Sequence, residues 1–238
     1  MSAAQGDSPR RSTLVTFPVG IDDPIDWRPW AVMVACLALV SSITGLHNGF
    51  AYDDRWIIVE NSRVHAVRAL WHLLRETYWP LTRGAALYRP MVILAYSVQW
   101  ALGAGNPFLF HLVNIGLYIM LSVLVFWLAL LVLPRVAATV VAMLFAVHPV
   151  HVEAVGNVVG QAELWSALFV VGATALYLRE RRDGLPMRAG PATAIAALYF
   201  VGMFFKEHVI VLPAILACAE LTVVRDPRPW RERLDETT

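Results

Sequence analysis

The sequence predicts an all-α polytopic membrane protein with a bundle of about six transmembrane helices, and three observations carry that reading. Of 238 residues, 58% are hydrophobic and only 16% charged, and mean hydropathy is +0.58; soluble domains run at about 25% charged and 45–50% apolar. Long apolar runs recur from end to end, separated by short charged or Pro/Gly-bearing breaks. The basic residues at the run ends are biased to one side, as the positive-inside rule requires.

In order, Met1–Asp26 is polar. It reads as no signal peptide, because the apolar run starts late and no small-residue cleavage site follows. Trp30–Leu46 is the first crossing, anchored by Trp27 and Arg28. A polar stretch from His47 to about Arg89 follows. In it Val67, Leu70, Trp71, Leu74 and Tyr78 recur at helical spacing, predicting an interfacial amphipathic helix that Pro80 ends. Met91–Leu102 carries Ser97 and Gln99. At 1.5 Å per residue it reaches about 18 Å, against a hydrocarbon core of about 30 Å, so the preferred reading is an interfacial or re-entrant segment packed against the bundle; if it crosses instead, everything after it inverts. Phe108–Leu133, Val136–Val147, Leu164–Leu178, Pro191–Phe205 and Val209–Val224 are the remaining crossings. His111 and Asn114 are expected to bond a neighbouring helix. Cys36 and Cys218 lie inside apolar runs and read as small core residues, neither a disulfide framework nor a metal site. Glu220 is read as structural.

With six crossings, the basic groups around Arg10/Arg11/Arg28, Arg135, Arg179–Arg188 and Arg225–Arg233 share the cytoplasmic side. The expected organisation is a cytoplasmic tail 1–27, a membrane domain 28–224 with first extracytoplasmic loop 47–107, and a cytoplasmic tail 225–238. Four ion-bearing breaks, together with the adjacent carboxylates Asp53-Asp54, then meet on the extracytoplasmic face. These breaks hold Arg89; His148, His151 and Glu153; Gln161 and Glu163; and Lys206, Glu207 and His208. Ionisable groups at membrane ends mark substrate or ion routes. Net charge of +1 implies no attraction to nucleic acid.

Asp53, Asp54 and Glu163 are the candidate catalytic groups, able to act as a base or to stabilise developing positive charge. Arg89, Lys206 and His208 can hold a phosphate, Arg by its planar fork and Lys as a point charge. His148, His151 and Glu153 join them as candidate substrate ligands. Their spacing beside Pro149 is only a weak metal pattern, and no metal or other cofactor is predicted. Acids plus a phosphate clamp at a membrane surface suit a lipid-phosphate substrate whose tail lies in membrane lipid.

These residues resemble the N-terminal membrane module of GT-C-fold glycosyltransferases, and most of all the transmembrane O-mannosyltransferases with C-terminal tetratricopeptide repeats and their bacterial relatives. The likeness rests on Phe50-Ala51-Tyr52-Asp53-Asp54, Tyr88-Arg89-Pro90, Asn106-Pro107 with His111–Asn114, Leu144–Val155, Gly160-Gln161-Ala162-Glu163-Leu164 and Lys206-Glu207-His208. It implies a polyprenyl-phosphate sugar donor and transfer to an acceptor hydroxyl, often on a protein. It makes Asp53 or Asp54 the acceptor base and sets Arg89, Lys206 and His208 at the donor phosphate. Gln161 and Glu163 stand where the family has Arg and Asp, and loss of that Arg is expected to weaken phosphate binding. The family continues into further helices and repeats. The chain therefore reads as an apparently truncated catalytic module, or alternatively as an inactive or partner-dependent membrane subunit. No paired internal repeats support a transporter.

Overall fold

The computed structural model describes residues 26–66, 72, 75, 77–80, 87–226 and 228–229. Most of the expected amphipathic helix (Val67, Leu70, Trp71, Leu74), residues 1–25 and most of the C-terminal tail lie outside them. Among the described residues the regular structure is helical, with no strand, as the apolar periodicity predicts.

α1 spans Arg28–Ser42 and tightens into a 3₁₀ turn over Ile43–His47. α2 spans Pro90–Gly103 and α3 spans Pro107–Leu130. Both begin on a proline, whose missing N–H is harmless in a first helical turn. Asn106 caps α3 by accepting from the Phe108 N–H at 2.9 Å. α4 runs Arg135–Val147. Pro149 then breaks the ladder, and a 3₁₀ turn leads to the one-turn α5, Val152–Gly156. The axis bends there by 45°, a kink with proline as its cause. A second turn, Val158–Gly160, feeds α6, Gln161–Arg181. α7 is Ala189–Met203 and α8 is Leu212–Thr222, joined through a 3₁₀ turn over Glu207–Val211.

Three stretches are long and apolar enough to cross a membrane: Arg28–His47, Pro107–Leu130 and Val158–Arg181. α4 with Pro149–Gly156 makes a fourth if the bend lies within one span. The last two expected crossings correspond to α7 and α8, of 15 and 11 residues. α2 packs into the bundle as expected, burying Val92, Ile93 and Tyr96. α3 is central, touching α1, α4 and α6, while α7 and α8 lean on α6.

Two expectations are corrected. Cys36 and Cys218 are both exposed, on the outside of the bundle; a small thiol on an apolar run suits a lipid-facing position as well as a core one. Asn114 bonds outside its own helix, but His111, though fully buried, makes no ring hydrogen bond to a neighbouring helix among the described residues.

The end of the bundle that matters rests on a core of Ile57, Ile58, Val64, Tyr96, Phe110 and Val158. Above it the α-helical ladder is interrupted between α5 and α6, at Asn157 and the turn Val158–Gly160, so backbone groups there need partners from elsewhere. Asn114 Nδ2 donates to the Asn157 carbonyl at 2.8 Å and, longer, to that of Val155 at 3.4 Å. Gln161 and Gln99 exchange amide hydrogen bonds at 2.7 and 3.1 Å, and Gln161 also donates to Asn114 Oδ1 at 2.9 Å. Gly160 allows the tight approach: a Cβ there would collide with the Ala154 carbonyl oxygen, which is fixed backbone. Gly160→Ala is expected to destabilise by at least ~1–3 kcal/mol, seen as a lower melting temperature of the detergent-solubilised protein. Gly116→Ala, with nothing within 4 Å of its added Cβ, should leave that temperature unchanged.

Candidate active site

The adjacent carboxylates part company. Tyr52 sits at φ 47°, a left-handed conformation that bulky residues rarely adopt. Beyond that turn Asp53 is exposed and lines a cleft, whereas Asp54 is fully buried. Asp54 Oδ1 accepts from the Val159 N–H at 2.8 Å; Oδ2 accepts from Ala51 at 3.1 Å and Val158 at 3.3 Å. Burial pushes the Asp54 carboxyl above the usual carboxylate range, opposed by those three N–H groups. A side chain so enclosed cannot reach an acceptor hydroxyl. Its place is to tie the loop bearing Asp53 to the turn that starts α6, four residues before Glu163.

The cleft has a volume of about 390 Å³. Asp53, Glu153 and Glu163 supply acids to its wall, Arg89 and Lys206 supply cations, and Ile57, Trp79, Leu87 and Val150 supply apolar surface. Both cations are nearly buried and already partnered. Arg89, just before α2, holds Glu207 in a fork, Nε–Oε2 at 3.0 Å and Nη2–Oε1 at 2.6 Å. Its guanidinium also lies 5.0 Å from the centre of the Tyr78 ring, a cation–π distance. Lys206 Nζ is paired with Glu163 Oε1, and His208 Nδ1 stands 3.4 Å from Glu163 Oε2. The arrangement joins the starts of α2 and α6 to the turn after α7.

The fork from Arg89 pulls the Glu207 carboxyl down to about 2. Because the folded value lies below the ordinary 4.5, the pair's contribution is complete above about pH 4.5 and is lost as pH falls toward 2. A thermal-stability titration across that window should show an acid limb, shallower in Glu207→Gln. Tyr78, buried against this pair, is held up to about 12 and stays a neutral phenol.

Of the sequence candidates, Asp53, Glu163, Arg89, Lys206 and Glu153 share this cleft, with His208 beside Glu163. Three expectations change. Asp54 is a buried tie. His148 and His151 line a different cleft, beyond α5, because the Pro149 turn aims them away from Glu153. Gln161 is fully buried on Gln99 and Asn114 and does not line this cleft. Sequence reasoning missed the Arg89–Glu207 fork, which spans 118 residues; the Lys206-Glu207-His208 run was its only signal. Among the described residues no group of three or more His, Cys, Asp or Glu side chains is placed to hold a metal ion.

No family model matches the chain, and no solved structure matches it. Curated proteins do. Protein O-mannosyl-transferase Tmtc1 of Drosophila melanogaster is 35% identical over 189 residues, 77% of this chain and 21% of that protein. Protein O-mannosyl-transferase TMTC3 of Homo sapiens is 30% identical over 181 residues, 74% of this chain and 20% of the relative. Protein O-mannosyl-transferase TMTC4 of Homo sapiens is 30% identical over 220 residues, 82% of this chain and 30% of the relative. The chain thus spans between a fifth and a third of the length of these relatives. The chain is therefore a helical membrane protein that is similar, over about three quarters of its own length, to one part of several protein O-mannosyl-transferases.

Proposed function

We propose that the cleft binds a polyprenyl-phosphate sugar and transfers the sugar to a hydroxyl of a protein acceptor on the extracytoplasmic face. The observation that carries this is the composition of one cleft: a free carboxylate, two nearly buried cations and an apolar flank within about 390 Å³. Asp53 takes the proton of the acceptor hydroxyl as its oxygen attacks the anomeric carbon from the side opposite the phosphate. The carbon–oxygen bond to phosphate breaks, the configuration inverts, and polyprenyl phosphate leaves. Arg89 and Lys206 neutralise the charge that develops on the leaving group, an electrostatic role suited to a water-poor site. Glu163 and Glu207 hold the two cations in position before donor arrives. The membrane domain in this reading is 28–224, with loop 47–107 outside and both termini inside.

Binding tests the reading directly. The full chain in lipid nanodiscs is expected to bind polyprenyl phosphate, and Lys206→Ala to weaken it about tenfold or more, the loss of one charge-assisted contact. No binding by the unaltered chain would sink the proposal. Sidedness is checked with single cysteines in a background lacking Cys36 and Cys218. Tyr52→Cys, strongly exposed, should label from outside, and Leu185→Cys, also exposed, only after permeabilisation. Labelling of both from one side would remove the shared extracytoplasmic site.

One observation favours a second reading, a non-catalytic membrane subunit: both cations are already neutralised, by Glu207 and Glu163. On that reading polyprenyl phosphate fails to displace either acid.

A further inference from the structure

A second cleft, of about 260 Å³, lies across the Pro149–Gly156 ridge from the first. Ser41, Ser42 and Asn48, at and beyond the end of α1, line one side; His148 and His151 line the other, with Tyr118 of α3 between. Among the described residues, no Asp, Glu, Lys or Arg lines it.

Four of its polar groups donate to backbone carbonyls, and the Thr44 hydroxyl also lines the cleft. Ser41 Oγ donates toward the carbonyls of Ala146 (2.8 Å) and Ala38 (3.0 Å), and Ser42 Oγ donates to Ala38 at 2.6 Å. The Tyr118 hydroxyl donates to the Phe145 carbonyl at 3.0 Å, and Asn48 Nδ2 donates to Gly156 at 3.4 Å. With their protons turned inward, these groups keep oxygen lone pairs for whatever enters. His148 Nδ1 accepts from the Val150 N–H at 3.2 Å, which leaves the ring proton on Nε2. The His151 ring rests on Phe145, centroids 4.3 Å apart. The cleft thus offers several uncharged acceptors, a ring N–H and imidazole faces.

We propose that this cleft binds an uncharged, hydroxyl-rich ligand the size of a single sugar ring. An anion would meet lone pairs without a balancing cation. An alkyl chain would find apolar wall at Val147, Val152 and Val155 but would leave the serine, asparagine, tyrosine and imidazole groups beside it stripped of water with no hydrogen bond in return, which is costly. The volume lies just under the ~300–1,000 Å³ of pockets for drug-sized ligands, enough for one ring. The proposal is independent of the catalytic reading of the first cleft and gives His148 and His151 a role that the phosphate assignment does not.

The test uses the full chain in detergent with ¹³C-labelled histidine, titrated separately with a methyl hexopyranoside and with inorganic phosphate. His148→Gln and His151→Gln assign the two imidazole signals. The sugar should move both signals and phosphate neither. Ser42→Ala and Tyr118→Phe should each weaken the sugar about fivefold, the effect of losing one neutral hydrogen bond. Ser42 bonds only within its own helix, so that variant keeps the fold. Movement with phosphate in place of sugar overturns the proposal, as does no movement with sugar up to ~100 mM. Unchanged affinity in Ser42→Ala and Tyr118→Phe does so too.

Discussion

Asp53→Asn is expected to lower sugar transfer by about 10²–10⁴-fold, the usual range for removing a positioned general base, while membrane insertion and melting temperature stay as they were. Asp53 is exposed at the cleft wall, so the amide disturbs no buried contact. Its neighbour should behave in the opposite way. Asp54→Asn keeps only one of the two acceptor oxygens, so in either amide orientation an NH₂ group faces at least one of the N–H groups of Val159, Val158 and Ala51. Each buried N–H left without an acceptor costs about 1–3 kcal/mol, so this variant should melt earlier. The paired measurement, transfer with a polyprenyl-phosphate sugar beside thermal unfolding, separates base from tie. Full transfer by Asp53→Asn would remove that residue from the chemistry. An unchanged melting temperature in Asp54→Asn would remove the tie.

The largest expected effect on stability lies at the far end of α6. Arg181 Nη2 is 2.6 Å from Glu220 Oε1 and 3.5 Å from Asp226 Oδ2, and its side chain is 2% exposed. Tyr177 donates to Glu220 at 2.6 Å, and Arg181 Nη1 to the Leu185 carbonyl. Arg181→Ala leaves buried carboxylates without this cation, a change worth about 3–5 kcal/mol. Arg181→Met combined with Glu220→Gln removes charge from both sides and should recover part of that loss, since a buried pair replaced by neutral groups is often near neutral. Unfolding of the solubilised chain reads both. Equal destabilisation by single and double variants would mean that packing, not the uncompensated charge, sets the cost.

These two sites differ in how far the sequence announced them. Composition and the spacing of apolar runs gave the helical membrane class, because lipid forbids unpaired backbone and leaves helices as the economical choice. Asp53, Glu163, Arg89 and Lys206 were legible because charge at the end of an apolar run is expensive. Which of two adjacent acids faces the cleft was not legible: that depends on a left-handed turn at Tyr52, and tyrosine carries no propensity for one. The direction of His148 and His151 depends on the Pro149 bend, whose angle periodicity does not encode. Glu220 read as structural, yet its partners Arg181 and Tyr177 share a face only once α6 and α8 pack. The shortness of α7 and α8 also escaped composition, since an apolar run continues through Phe204–Phe205 and Val209–Val211 where the backbone has left the α-helix.

The tie made by Asp54 has a consequence for how this chain is made. Its acceptor oxygens wait for Val158, 104 residues further along; at about 5–20 residues per second of synthesis, that is an interval of roughly 5–20 s. Until then the local Ala51 N–H is the carboxylate's one backbone partner of the three, and water must serve the remaining acceptor positions. This end of the molecule therefore closes only after more than a hundred further residues have been made, and a variant that weakens the tie is expected to lower the yield of folded protein.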